Sequence, residues 1–142
     1  MFFSMTSPSS SPLPMPDDTV ARIIAEFNDS AFARLLNMTI LEARDGYARV
    51  AMDCSGKANP AGVAHGGAVF SLADHAFGIA SNCGGIHRTA VSVSIHYLVP
   101  ATGTLVAEAR RVSDNGTHAS YRVMVFAGDR TVAAFDGVAI RV

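Results

Sequence analysis

From residue 66 to residue 82 the chain reads Gly-Gly-Ala-Val-Phe-Ser-Leu-Ala-Asp-His-Ala-Phe-Gly-Ile-Ala-Ser-Asn, apolar on nearly every side, with Asp74 its only formal charge. A helix with no polar face has to be covered around most of its circumference. At 142 residues the chain is long enough for one core and too short for two, so the cover must come from the segments on either side. Those segments carry the two-residue period of strands. The expected fold is therefore α+β, with an antiparallel β-sheet curled around one long central helix, about 66–83.

Before the helix, residues 40–43 and 47–53 flank Asp45-Gly46, a dipeptide that tolerates positive φ and favours a tight hairpin. After it, Val91, Val93, Ile95, Tyr97 and Val99 alternate with Ser92, Ser94 and His96, which predicts a strand with one apolar face that stops at Pro100. Runs at about 104–112, 118–127 and 131–142 are joined by Asp114-Asn115-Gly116 and Gly128-Asp129, so the second half reads as an antiparallel meander. From Asp17 onward, Val20, Ile23, Ile24 and Phe27 recur at helical spacing behind two acidic residues, giving a short N-terminal helix that ends near Asn28 or Ser30. Residues 1–16 are rich in Ser and Pro with nothing periodic to bury, and read as a disordered tail before a single domain over 17–142.

Composition removes several functions. With ten arginines and Lys57 spread among twelve acidic residues and a net charge of -1, no basic stripe exists to follow phosphates, so no nucleic-acid partner is expected. No apolar run reaches membrane-spanning length without Gly, Asp or His interrupting it, and the first residues lack the basic and apolar regions of a secretory signal. Cys54 and Cys83 read as free thiols in a reducing compartment, which together with the missing signal makes the cytoplasm the expected location. His75, His87, His96 and His118 lack metal-site spacing, and no metal or cofactor is expected.

The chemistry concentrates at the central helix. A carboxylate on an otherwise apolar helix is costly unless it is paired, hydrogen-bonded, partly solvated or working, which singles out Asp74. The helix opens on His65-Gly66-Gly67, where two glycines allow close approach and the first-turn N–H groups point outward, a geometry that can hold an oxyanion. Asp74 is eight residues beyond Gly66, roughly 12 Å along the axis, so the two cannot meet on one atom within a subunit. A second chain could bring them together. The competing reading is a tight turn into a helix and a satisfied structural carboxylate, which an ion pair on Asp74 away from any cleft would mark.

The stretch Asn59-Pro-Ala-Gly62-Val-Ala-His65-Gly66-Gly67-Ala-Val-Phe-Ser-Leu72-Ala-Asp74 resembles the signature of hotdog-fold thioesterases of the phenylacetic-acid-degradation subgroup. Ala76-Phe77, Asn82 and the later Ile95-His-Tyr97-Leu-Val-Pro100 fit the same pattern, so the resemblance spans about residues 30–142. It implies the hotdog fold and an acyl-CoA thioesterase acting on a medium-chain or aromatic acyl-CoA. It also implies a homodimer, assembling into a homotetramer, whose joined sheets build an active site from two subunits. By that resemblance Gly66 offers its N–H to the thioester carbonyl, Asp74 of the other subunit acts as nucleophile or general base, Asn59 orients water or thioester, and His65 braces the loop. Gly67, Phe70 and Ser92 are the further substrate-binding candidates.

Many relatives follow the glycine of the Asn115-Gly116 turn with a basic residue suited to coenzyme A phosphates, whereas this chain has Thr117-His118; Arg88, Arg110 and Arg111 are the alternatives. Cys83 has no Cys-His-Asx company and reads as a packed thiol. A non-catalytic acyl-CoA-binding protein is the alternative function. A hotdog hydratase would require a different loop.

Overall fold

The computed structural model describes residues 18–142, and the tail expected over 1–16 lies outside them. In chain order the elements are α1 (Asp18–Asn28), α2 (Ala31–Leu35), β1 (Met38–Arg44), β2 (Tyr47–Asp53), α3 (Gly66–Asn82), β3 (Arg88–Tyr97), β4 (Thr104–Asp114), β5 (His118–Ala127) and β6 (Arg130–Arg141). The six strands form one antiparallel sheet in the order β1-β2-β4-β5-β6-β3, curled around α3.

The wrapping follows from side-chain size. On α3, Leu72, Ala73, Ala76, Ile79 and Ala80 are fully buried against Val50, Leu105, Ala107, Val123, Val125 and Phe135 of the sheet. The alanines let strands approach the helix, while Phe77 fills the remaining depth with its ring 5.4 Å from Tyr121 and 5.7 Å from Phe135. That filling explains Gly137, because a Cβ there would stand 3.0 Å from the Phe77 ring. The Asp45-Gly46 turn closes the β1–β2 hairpin as expected, with Gly46 at φ 74 and its N–H donated to the Ala80 carbonyl of α3 at 3.0 Å.

Three features depart from the sequence reading. After Asn28 the chain forms a second short helix, because the Ser30 hydroxyl accepts the Ala33 N–H at 3.2 Å and starts α2. The strand after α3 does not join the meander next to β4. It pairs with β6 and becomes a sheet edge, leaving β4 to pair with β2. Its expected apolar face is consequently uncovered: Val91, Val93 and Tyr97 are exposed and Ile95 is only half-buried.

Arg88 corrects the charge reading. Its side chain is 1% exposed and its Nη2 donates to Asp114 Oδ2 at 2.8 Å, so this arginine closes the base of β3 and does not face outward toward a phosphate. Arg111 is held by Asp45 at 2.6 Å and by the Tyr121 hydroxyl at 3.1 Å, while Arg110 reaches Glu108 from the surface. Cys54 and Cys83 are unpaired and buried, and burial, aided by Asp45, pushes the Cys83 thiol up to about 11, far from a nucleophilic thiolate. Among the described residues no helix is long and apolar enough to cross a membrane, and no group of His, Cys, Asp and Glu could hold a metal ion.

Candidate active site

The loop from Asn59 to His65 delivers the chain to the start of α3 under close control. Asn59 Oδ1 accepts the N–H groups of Ala61 at 2.9 Å and Val63 at 3.2 Å, and the Asn59 N–H donates to the Val63 carbonyl at 2.8 Å. The side-chain oxygen of Asn59 is thus committed to its own turn, leaving the side-chain NH2 as the group free to meet a ligand. His65 then caps the helix in an extended conformation, φ -61 and ψ 135, with its N–H on the Lys57 carbonyl at 2.8 Å.

The cap decides which helix-start donor remains. Gly67 N–H donates to His65 Nδ1 at 2.9 Å, and the Ala68 and Val69 N–H groups both donate to the His65 carbonyl, at 2.9 and 3.1 Å. Among the described residues the Gly66 N–H has no acceptor. Because His65 Nδ1 accepts a hydrogen bond, the ring proton of the neutral imidazole sits on Nε2. The positive end of the α3 dipole adds to the pull of the Gly66 N–H on a negative oxygen.

Gly66 and Asn59 line one cleft of about 310 Å³, with walls that include Val63, Val69, Tyr97 and Val132. Tyr97 comes from β3, and its hydroxyl donates to the Gly66 carbonyl at 3.0 Å. The sequence reading places Tyr97 in an alternating strand and in the stretch that resembles the family, without a role at the site. Its polar end could have been noticed, but nothing local shows that it reaches a residue 31 positions earlier.

Asp74 is not in that cleft. It lies on the outward stripe of α3 with Gly67 and Ser71, positions that recur at helical spacing. It is exposed in the single chain, yet enough protein surrounds it that desolvation raises its carboxyl above the usual aspartate range. No ion pair or hydrogen bond engages its side chain among the described residues. Its neighbour His75 turns toward α1, with its ring 5.4 Å from Phe27 and Nε2 buried without a partner, and burial lowers its pKa. The marker of a purely structural carboxylate, an ion pair on Asp74, is therefore missing. Phe70 stands one turn before Asp74, edge-on to Phe135 at 5.6 Å.

Ser92 does not join this group. It stands opposite Val138, on the sheet face that alternates with the inward Gly137 and Ala139, so it looks away from α3 beside Ser94, Ser120 and Asp136. Within one chain the structure thus gathers Asn59, His65, Gly66 and Gly67 and sets Asp74 and Phe70 further along the helix.

Residues 61–134 match the model of the thioesterase superfamily, a span that holds Gly66, Asp74 and strands β3, β4 and β5. The chain belongs to the thioesterase superfamily. A putative esterase of Archaeoglobus fulgidus is 41% identical over 119 residues, 81% of this chain and 77% of that protein. The acyl-coenzyme A thioesterase PaaI of Escherichia coli is 33% identical over 122 residues, 83% of this chain and 87% of that protein. The solved structure of the E. coli PaaI protein from the phenylacetic acid degradation operon superposes with a TM-score of 0.83 at 28% identity, covering 90% of this chain and 96% of that one. A Streptococcus mutans protein solved bound to acetyl CoA superposes with a TM-score of 0.70 at 27% identity over 75% of this chain and 89% of that one. Within the thioesterase superfamily the chain is thus a hotdog-fold member of the PaaI subgroup, and an enzyme that hydrolyses thioesters.

Proposed function

We propose that the protein hydrolyses a medium-chain or aromatic acyl-CoA to the free acid and CoA, at a site built from two subunits. The observation that carries this reading is a pair of complementary groups unengaged among the described residues: a Gly66 N–H without an acceptor at a cleft, and an Asp74 carboxylate without a partner two helical turns away. Each is half of what acyl transfer needs.

In the reaction the thioester carbonyl oxygen accepts the Gly66 N–H, and the negative charge it gains in the tetrahedral transition state is held by that donor and by the helix dipole. Asp74 of the second subunit takes a proton from the attacking water, or attacks the carbonyl itself to give an anhydride that water then opens. The C–S bond breaks and CoA leaves as a thiolate, a leaving group stable enough to need no strong general acid. The NH2 of Asn59 orients the water or the carbonyl from the cleft wall, and His65 keeps the donor in place.

Assembly through β3 is supported by its position at the sheet edge, where Val91 at 52% exposure and Val93 at 37% face no covering element among the described residues. Pairs of such dimers would form the tetramer. An acyl group of modest size is supported by the cleft volume of about 310 Å³ and by its largely aliphatic walls. CoA as the thiol carrier is supported by the E. coli PaaI enzyme and by the S. mutans protein bound to acetyl CoA. The two unpaired buried thiols accord with a cytoplasmic location.

The test is thiol release from a panel running from acetyl through hexanoyl and octanoyl to palmitoyl-CoA, with benzoyl- and phenylacetyl-CoA. The highest kcat/KM is expected for the medium-chain or aromatic esters. Saturable binding of these esters without turnover would support the non-catalytic alternative, and a preference for acetyl- or palmitoyl-CoA would contradict the substrate class.

A further inference from the structure

The Gly66–Gly67 peptide is flanked by the two residues with the greatest backbone freedom, yet it directly follows the N–H on which the proposed chemistry depends. Both of its polar atoms are restrained by side chains. Its carbonyl, on Gly66, accepts the Tyr97 hydroxyl at 3.0 Å, and its N–H, on Gly67, donates to His65 Nδ1 at 2.9 Å. The fit is close on Gly67, where a Cβ would lie 3.1 Å from His65 Nδ1, while a Cβ on Gly66 would meet Tyr97 Cζ at an ordinary 3.4 Å. The two restraints come from different parts of the fold. His65 is the cap of α3 itself, whereas Tyr97 ends β3 and is held in register opposite Ala133 of β6.

We propose that Tyr97 is a positioning residue that aims the Gly66 N–H, by clamping the Gly66–Gly67 peptide together with His65; this rests on the reading of Gly66 as the carbonyl donor. A donor at a helix start stabilises the transition state only where its N–H meets the position the oxyanion will occupy, and small misplacements there are costly in rate. The Gly66 N–H itself lies on the preceding His65–Gly66 peptide, whose carbonyl accepts the Ala68 and Val69 N–H groups. Holding the Gly66–Gly67 plane by two further hydrogen bonds therefore restricts the Gly66 φ and ψ through which the two planes are joined. Tyr97 is 55% exposed at the open edge of the sheet, so its hydroxyl contributes little to holding the fold. What it restrains is the direction of a donor. A seam between subunits along β3 would exclude water from this bond and tie assembly to the readiness of the site.

The experiment compares wild type, Tyr97→Phe, His65→Ala and the double variant on the best acyl-CoA of the panel, with Tm measured for each. Tyr97→Phe keeps the ring against Gly66 and removes only the hydroxyl. It is expected to lower kcat by about tenfold with KM within about twofold and Tm unchanged. The double variant is expected to lose less than the product of the two single losses, because both side chains act on one peptide. Wild-type kcat in Tyr97→Phe, with Asp74→Asn inactive, would overturn this proposal alone, as would a loss that appears equally in KM and Tm. No turnover by the wild type on any ester would overturn the reading of Gly66 and this proposal with it.

Discussion

Asp74→Asn is expected to lower kcat for acyl-CoA hydrolysis by about 10³-fold while the protein folds and melts no lower than the wild type. The substitution keeps the shape of the side chain and removes its capacity to accept a proton or attack a carbonyl. Stability should not fall, because among the described residues the carboxylate has no partner to lose, and desolvation already raises its pKa. The sign follows from linkage: an acid whose folded pKa lies above its unfolded value favours the folded state when protonated, and that contribution is lost as pH rises through the folded pKa. At neutral pH the ionised Asp74 therefore opposes folding, and replacing it with a neutral amide relieves that opposition. The same shift sets the pH profile. The acidic limb of kcat/KM, which reports the free enzyme, should lie above the range of an ordinary aspartate and should vanish with Asp74. Full activity in Asp74→Asn would remove Asp74 from the chemistry.

Gly66→Pro addresses the other half of the site. Proline at the first position of a helix lacks only an N–H that no helical carbonyl would have accepted, and its fixed φ suits that position. The residue before it must be extended, and His65 already is, at φ -61 and ψ 135. Gly66→Pro thus deletes the free donor while α3 and its cap persist. We expect kcat to fall by about 10²–10³-fold, with little change in Tm. Gly66→Ala is the control, since it keeps the N–H and adds a Cβ 3.4 Å from the Tyr97 ring, an ordinary contact. A small loss in Gly66→Ala beside a large one in Gly66→Pro assigns the effect to the donor. Equal losses would assign it to crowding of the cleft.

The architecture was readable where one local pattern admitted one packing solution. A helix apolar all round, flanked by hairpin turns such as Asp45-Gly46, has to be wrapped, and Gly66–Asn82 is wrapped. Local pattern failed wherever the answer lay in a distant partner. The alternation from Val91 to Val99 marks a strand with two faces, but whether either is covered depends on its place in the sheet, and pairing with β6 puts it at the edge. The same ignorance of register left Ser92 a candidate until its pairing with Val138 turned it away from α3. Arg88 looked like an available cation because sequence cannot show that Asp114, 26 residues later, folds back to bury it. The second helix is missed for a smaller reason: the sequence bounds the first helix near Asn28 or Ser30, whereas the first stops at Asn28 and Ser30 caps the next.

Within the site, the motif names Asn59, His65, Gly66 and Gly67, which the structure gathers at the start of α3, but spacing does not show which of their polar groups stay unengaged. Among the described residues the free donor is Gly66 because His65 occupies the N–H of Gly67 and the carbonyl of His65 occupies two more. Asn59 offers an NH2 because its oxygen is spent on Ala61 and Val63. These allocations depend on the folded path of a short loop, which no spacing rule encodes.

The central claim is that Gly66 of one subunit and Asp74 of another complete a single site, and mixing two inactive variants tests it most directly. Gly66→Pro and Asp74→Asn are purified separately, combined in equal amounts, and assayed after subunit exchange has been verified by mass. A mixed dimer holds one site with both residues intact and one with neither, so a random mixture should recover about a quarter of wild-type activity. Activity that stays at the level of the separate variants, despite demonstrated exchange, would contradict the shared site.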